Sequence, residues 1–267
     1  MNGALFRQTW RFQGVKLAVV SSALAVWGMF LPIIYARFGS QFRAVLESGL
    51  FPEQFARFGG GDIFSLPGSL ALSFIHPIAI ILTAVFSVGF SAGAIAGERR
   101  RGTLEVALAR PISRRGFYLT LFAAAFGFVA VTVASLMAGG IAGSLFAGVI
   151  GEIAVRNLPL LWLNGVLLFG SFTAVGLAAS ASFDRLPPAL GLTIGIVVVM
   201  YFFDVLGSLW PAAEVLQPYS LFHYLKPKAI LVGDGSLLDP AVLAAVIVAA
   251  TAWALVVFPR RDLAAPS

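Results

Sequence analysis

The chain has 267 residues, of which 59% are hydrophobic and 11% charged, with a mean hydropathy of +0.93. Soluble domains carry about a quarter charged residues, so this composition excludes an ordinary water-soluble fold and points to a polytopic membrane protein. There is no cysteine, which excludes disulfides, thiolate metal sites and thiol nucleophiles together.

The first 16 residues place Leu5, Phe6, Thr9, Trp10 and Gln13 near one stripe and Arg7, Gln8 and Arg11 opposite, the pattern of an interfacial helix facing lipid headgroups. The first span follows at about 17–35, longer than the apolar run of a secretion signal. Residues 36–69 mix charge with phenylalanine and contain Gly59, Gly60 and Gly61, so they leave the membrane and hold a surface helix. The second span runs over about 70–96, with a kink expected at His76-Pro77. The third covers about 117–150, where Gly139, Gly140 and Gly143 either break the helix or admit a close neighbour. Spans four, five and six are read at 158–181, 187–209 and 240–258, with a turn-rich outer segment at 210–239.

The fold expected is therefore all-α, a single transmembrane domain over 1–267 with six transmembrane helices and an N-terminal interfacial helix. With the N-terminus inside, Arg7, Arg11, Lys16, the six arginines of 97–115, Arg185, Arg260 and Arg261 lie on the inner side, twelve of the 18 basic residues. Inner segments are also the shorter ones, so the positive-inside bias places both termini in the cytoplasm. The net charge of +6 is then a membrane-topology signal, and no nucleic-acid partner is expected.

Residues 97–115, GERRRGTLEVALARPISRR, join spans two and three. Each charge near a bilayer centre costs roughly 2.5 kcal/mol or more, so six arginines keep this stretch at the surface. Gly97 and Gly102 are expected to break the preceding helix, Thr103 to cap a short one with Glu105 in its first turn, and Arg110-Pro111 to end it. Leu104, Ala107 and Leu108 share one face, and Ser113 can cap the third span. Membrane lipids are the simplest partner for such a loop.

Glu98-x3-Gly102-Thr103-Leu104-Glu105-x2-Leu108-Ala109-Arg110-Pro111-Ile112-Ser113-Arg114, set between spans two and three, resembles the signature loop of ABC-2 type permeases of ABC transporters. The stretch from Pro218-Tyr219-Ser220 to Tyr224-Leu225-Lys226-Pro227 is similar to that family's outer segment. The resemblance implies an exporter permease in the inner membrane of a bacterial cell, driven by a separate cytoplasmic ABC ATPase that carries the ATP and Mg. It further implies a short cytoplasmic coupling helix and a second identical or homologous permease chain. By position it makes Glu98, Gly102, Thr103, Leu104, Glu105, Arg110 and Pro111 coupling-loop residues.

The residues themselves agree on one point, since no Gly-x4-Gly-Lys-Ser/Thr loop is present to cradle nucleotide phosphates. The chain is not expected to be an enzyme by itself, to bind a cofactor or to hold a metal. Its two histidines, His76 and His223, lie far apart. Asp204 is the one carboxylate inside an expected span, a candidate for cation contact on a substrate path, with Asn164 a second. Thr83, Ser87 and Ser91 form a four-spaced stripe that either lines a path or bonds back to its own helix, while Gly89, Gly93 and Gly97 offer a small face for close packing. The competing classes are a secondary transporter or channel, and a membrane assembly factor without an ATPase.

Overall fold

The structure is a computed structural model, and it describes residues 2–48, 65–109 and 112–261. No strand occurs among the described residues. Among these residues, five helices are long and apolar enough to cross a membrane, and a bent pair has the length and composition of a sixth span.

Helix α1, Gly3–Glu47, is 45 residues long. At 1.5 Å per residue it extends about 68 Å, more than twice the hydrocarbon thickness of about 30 Å. Asn2 Oδ1 caps its start by accepting from the amides of Ala4 and Leu5 at 3.1 and 2.9 Å. The expected interfacial helix is thus present as helix, but it is not a separate element. No proline or glycine pair interrupts the chain before Pro32, so residues 3–16 run straight into the first span.

They also pack on protein. Helix α6, Arg114–Phe146, lies alongside α1 and parallel to it. The Asn2 amide donates to Thr120 Oγ1 at 2.9 Å, and the Trp10 ring packs tilted against Phe128, centres 4.8 Å apart. Further along, the helices meet backbone to backbone. A Cβ added at Gly139 would lie 2.0 Å from the Ala25 carbonyl oxygen, one at Gly143 2.3 Å from that of Met29, and one at Gly28 2.2 Å from that of Leu136. The glycines of the third span therefore leave it unbroken and admit a neighbour. Ser113 caps α6 by accepting from the Gly116 amide at 3.1 Å, and the helix runs out just before Gly148, whose φ is +74°.

The second span is segmented. Ser65 caps α2, Leu66–Ile75; His76 is extended, and α3, Pro77–Ala84, restarts at an angle of 42°. Pro77 has no amide to continue the first helix, and His76 Nδ1 accepts from the Ile78 amide at 3.3 Å to begin the second. A π-helical turn, Val85–Phe90, and one α-turn, Ser91–Gly93, complete the span.

Helix α7, Leu158–Ser182, is the most enclosed of the spans and forms the centre of the bundle. Its Phe169, Phe172 and Leu177 are fully buried, and Ser171 donates to the Leu243 carbonyl of the last helix at 3.0 Å. A short connection leads to α8, Leu186–Leu209, which opens with Pro187 and Pro188 in its first turn, where no amide partner is lost.

The outer segment does not remain outside the bundle. Two 3₁₀ turns, Pro211–Tyr219 and Leu221–Tyr224, double back along α8. Ser220 Oγ donates to the Met200 carbonyl at 2.6 Å, nine residues before the end of α8 at Leu209 and so about 14 Å down its axis. Gln217 Nε2 donates to the Asp204 carbonyl and to Ser208 Oγ, both at 3.1 Å. Phe222 is wedged between Phe172 and Tyr201, with ring centres 5.3 and 5.4 Å away. Helices α9, Pro227–Val232, and α10, Leu238–Arg260, follow; Lys226 pairs with the buried carboxylate of Asp239 at 3.1 Å, and α10 packs on α7.

Candidate functional site

The loop between spans two and three folds as two short helices, α4, Ala96–Arg100, and α5, Thr103–Leu108. Helix α4 has no capping side chain of its own, because Ile95 stands at its N-cap. Ser180 of α7 takes that role: its Oγ accepts from the amides of both Ile95 and Ala96 at 2.9 Å. The break therefore falls at Ala94 and Ile95, ahead of the expected Gly97, which sits inside α4. A buried serine satisfying two amides from another helix is a signal that spacing along the chain does not carry.

Gly102 turns the chain between the two helices with φ at +70°, the left-handed region where a Cβ costs about 1–2 kcal/mol. It occupies the N-cap of α5 and offers no side chain, so Thr103 is not the cap that the sequence predicts. Thr103 Oγ1 instead turns back to α4, bonding the Glu98 carbonyl at 3.2 Å and the Glu98 carboxylate. Glu98 also pairs with Arg101. These contacts hold α4 and α5 as one unit.

The two faces of α5 differ sharply. Leu104 is 1% exposed and sits in a cluster with Phe117, Tyr118, Ala181 and Phe258, against which Ala107 and Leu108 also pack. Glu105 and Val106 point away, Val106 with 67% of its surface exposed. Of the seven loop residues singled out, Glu98, Gly102, Thr103, Leu104 and Glu105 are brought together in this unit; Arg110 and Pro111 lie outside the described residues.

The residues considered for a path are scattered. Thr83, Ser87 and Ser91 are buried, Ser91 against α7. Ser87 Oγ donates to the Thr83 carbonyl at 3.2 Å and Ser91 Oγ to the Ser87 carbonyl at 2.6 Å, while Gly176 of α7 admits Ser91, its Cβ position being 2.1 Å from Ser91 Oγ. Asn164 is 2% exposed and donates to the Tyr224 carbonyl at 3.2 Å, which fixes the end of the re-entrant segment. Asp204 is half-buried beside that segment, and its carbonyl takes the bond from Gln217.

The open space lies elsewhere. A cavity of about 450 Å³ separates the second span from α8, walled by Pro77, Ile81, Val85, Gly89, Ile194 and Tyr201. The walls are apolar except for the tyrosine, and none of the three hydroxyl residues lines the cavity. Gly89 opens to this space, with no atom nearer to its Cβ position than the Ala84 carbonyl oxygen at 3.8 Å. Ile81, Ile194 and Val198 are large, exposed and on facing walls, a placement that nothing in the sequence signals.

A bundle of five long apolar helices and one bent span, carrying between its second and third spans a compact helical pair with one face seated in the core and one exposed, fits a multi-pass membrane permease. The family model for the ABC-2 family transporter protein matches residues 14–263, and the chain belongs to that family, whose members are the membrane components of ABC transporters. Among curated proteins, no relative matches the chain.

Proposed function

We propose that this chain is the permease half of an ATP-driven exporter, in which α4 and α5 dock on a separate cytoplasmic nucleotide-binding subunit that carries ATP and Mg. A second copy or a homologous permease completes the membrane part, in an inner membrane with both termini cytoplasmic. The observation that carries this reading is the two-faced α5. Its inner face locks into the bundle through Leu104, while Glu105 and Val106 stand free to meet a partner. A simple topology anchor needs the arginines but not that seating.

The apolar cavity between the second span and α8 supports a hydrophobic or amphipathic substrate, because apolar walls lose nothing by giving up water. ATP binding then shifts the population between inward and outward forms of that space.

The test is to tag the chain, extract it in mild detergent and identify what co-purifies. An ATPase that is captured by the parent chain and lost after scrambling Gly102, Thr103, Glu105 and Val106, with Leu104 kept, supports docking. A parent chain that captures no ATPase after crosslinking in membranes removes it and turns attention to the secondary-transporter class.

A further inference from the structure

We propose that Asp184 is a positioning residue: it ties the inner foot of the second span to the α7–α8 connection and to the end of α10, so that displacement of α4 and α5 is delivered to α8 and α10. The inference rests on the docking role proposed above.

Asp184 lies in the connection between Ser182, the last residue of α7, and Leu186, the first of α8. Its Oδ1 is shared by two guanidinium groups, Arg99 of α4 and Arg261 beyond α10. Arg261 also donates to the Ala181 carbonyl at 3.0 Å, and Arg114 at the start of α6 donates to the carbonyls of Pro259 and Arg261 at 3.1 and 2.6 Å. Trp253 of α10 donates to Ser182 Oγ at 3.0 Å. The inner ends of four long elements thus converge on residues 180–184 and on Arg261.

Ser180 and Asp184 both tie α4 to the α7–α8 region, and they differ in kind. Ser180 is fully buried and grips the first two amides of the unit. Asp184 has a side chain 59% exposed, within reach of water, and its single carboxylate serves two cations. Water-exposed ion pairs form and break at little cost, whereas two buried amides that lose their acceptor do not find another. Ser180 is then the fixed point and Asp184 the releasable one. With both attachments, the orientation of α4 is set. Without Asp184, α4 keeps its buried seating at Ser180, Ala96 and Leu104 but loses its ionic tie to the α7–α8 connection and to Arg261, and its displacement is not passed on to α8 and α10.

The geometry of the cavity gives this latch its reach. Its one wall, the second span, runs directly into α4; its other wall, α8, begins two residues after Asp184. The two feet also touch, the Cβ position of Gly93 lying 3.9 Å from Leu186 Cδ1. Arg99 and Asp184 join the walls beside this contact.

The chain has no cysteine, so a labelled pair can be placed without background. Ile81→Cys and Val198→Cys, exposed on opposite walls, are spin-labelled in the complex with its captured ATPase in liposomes, and their distance is measured without nucleotide and after trapping with ATP and vanadate. The expected result is a nucleotide-dependent distance shift in the parent, its loss in Asp184→Asn while ATP is still hydrolysed, and its return in Asp184→Glu. If Asp184→Asn does not fold, as judged by its melting profile in detergent, Arg99→Gln carries the same test with the Asp184–Arg261 pair intact. An unchanged shift in the variant, or no shift in a parent that holds its ATPase, overturns the latch and leaves docking standing. A parent without an ATPase overturns docking and the latch with it.

Discussion

Helices α1 and α6 and the pair formed by the second span and α8 are built from similar apolar residues, yet they pack in opposite ways. Along α1 and α6, glycines stand where the other helix's carbonyls press in, and a single methyl group has nowhere to go. Between the second span and α8, branched residues face one another across a space of about 450 Å³, and Gly89 stands open to it. In lipid, where apolar burial drives little association between helices, close backbone contact is the main route to a rigid seam. The contrast divides the bundle into a welded side and a parted side, and the α4–α5 unit bridges them, α4 following the second span and α5 seated on the start of α6.

The strongest way to break that contrast is Gly139→Ala. Its methyl group would collide with the Ala25 backbone, which cannot move as a side chain can, so a loss of 3 kcal/mol or roughly more is expected, beyond ordinary overpacking. Detergent thermal unfolding, or the folded fraction by size exclusion, measures it; a variant as stable as the parent removes the seam. Next, Leu104→Ala should cost about 2–3 kcal/mol by opening a cavity beneath α5, and it should weaken ATPase capture although its side chain never meets the partner. Capture unchanged at lowered stability would show that the seating of α5 is irrelevant to docking.

Gly102→Ala places a Cβ in the left-handed region and should cost about 1–2 kcal/mol, felt mainly as reduced capture of the ATPase in pull-down. The smallest effect is expected at Gly89→Ala, where the new methyl enters open space and the helix gains up to about 1 kcal/mol in propensity. Destabilisation there would show that the cavity closes in the membrane.

Much of this architecture is legible in the sequence. The fourth span is expected at 158–181 and observed at Leu158–Ser182; the kink at His76-Pro77 and the cap at Ser113 follow from the chemistry of those residues alone. What escapes is whatever depends on a partner distant in the chain. The amphipathic pattern of residues 3–16 reads as a surface helix, since nothing local shows that α6 covers its apolar side. Ser180 and Ile95 are 85 positions apart, and Asp184 reads only as part of a tight loop. Composition is equally silent on the cavity, because isoleucines facing lipid and isoleucines facing a gap are the same letters. The small-residue stripe Gly89, Gly93 and Gly97 has the spacing of a close contact, yet the close contacts are made by Gly28, Gly139, Gly143 and Gly176.

The re-entrant segment after α8 sets an order of assembly. Its backbone cannot face hydrocarbon unpaired, and its partners are the Met200 carbonyl on α8, the Asn164 amide on α7 and the ring of Phe172. None of these is in place until α7 and α8 stand side by side in the bilayer. Residues 211–224 therefore settle after the spans that precede them, as the closing stitch of membrane insertion.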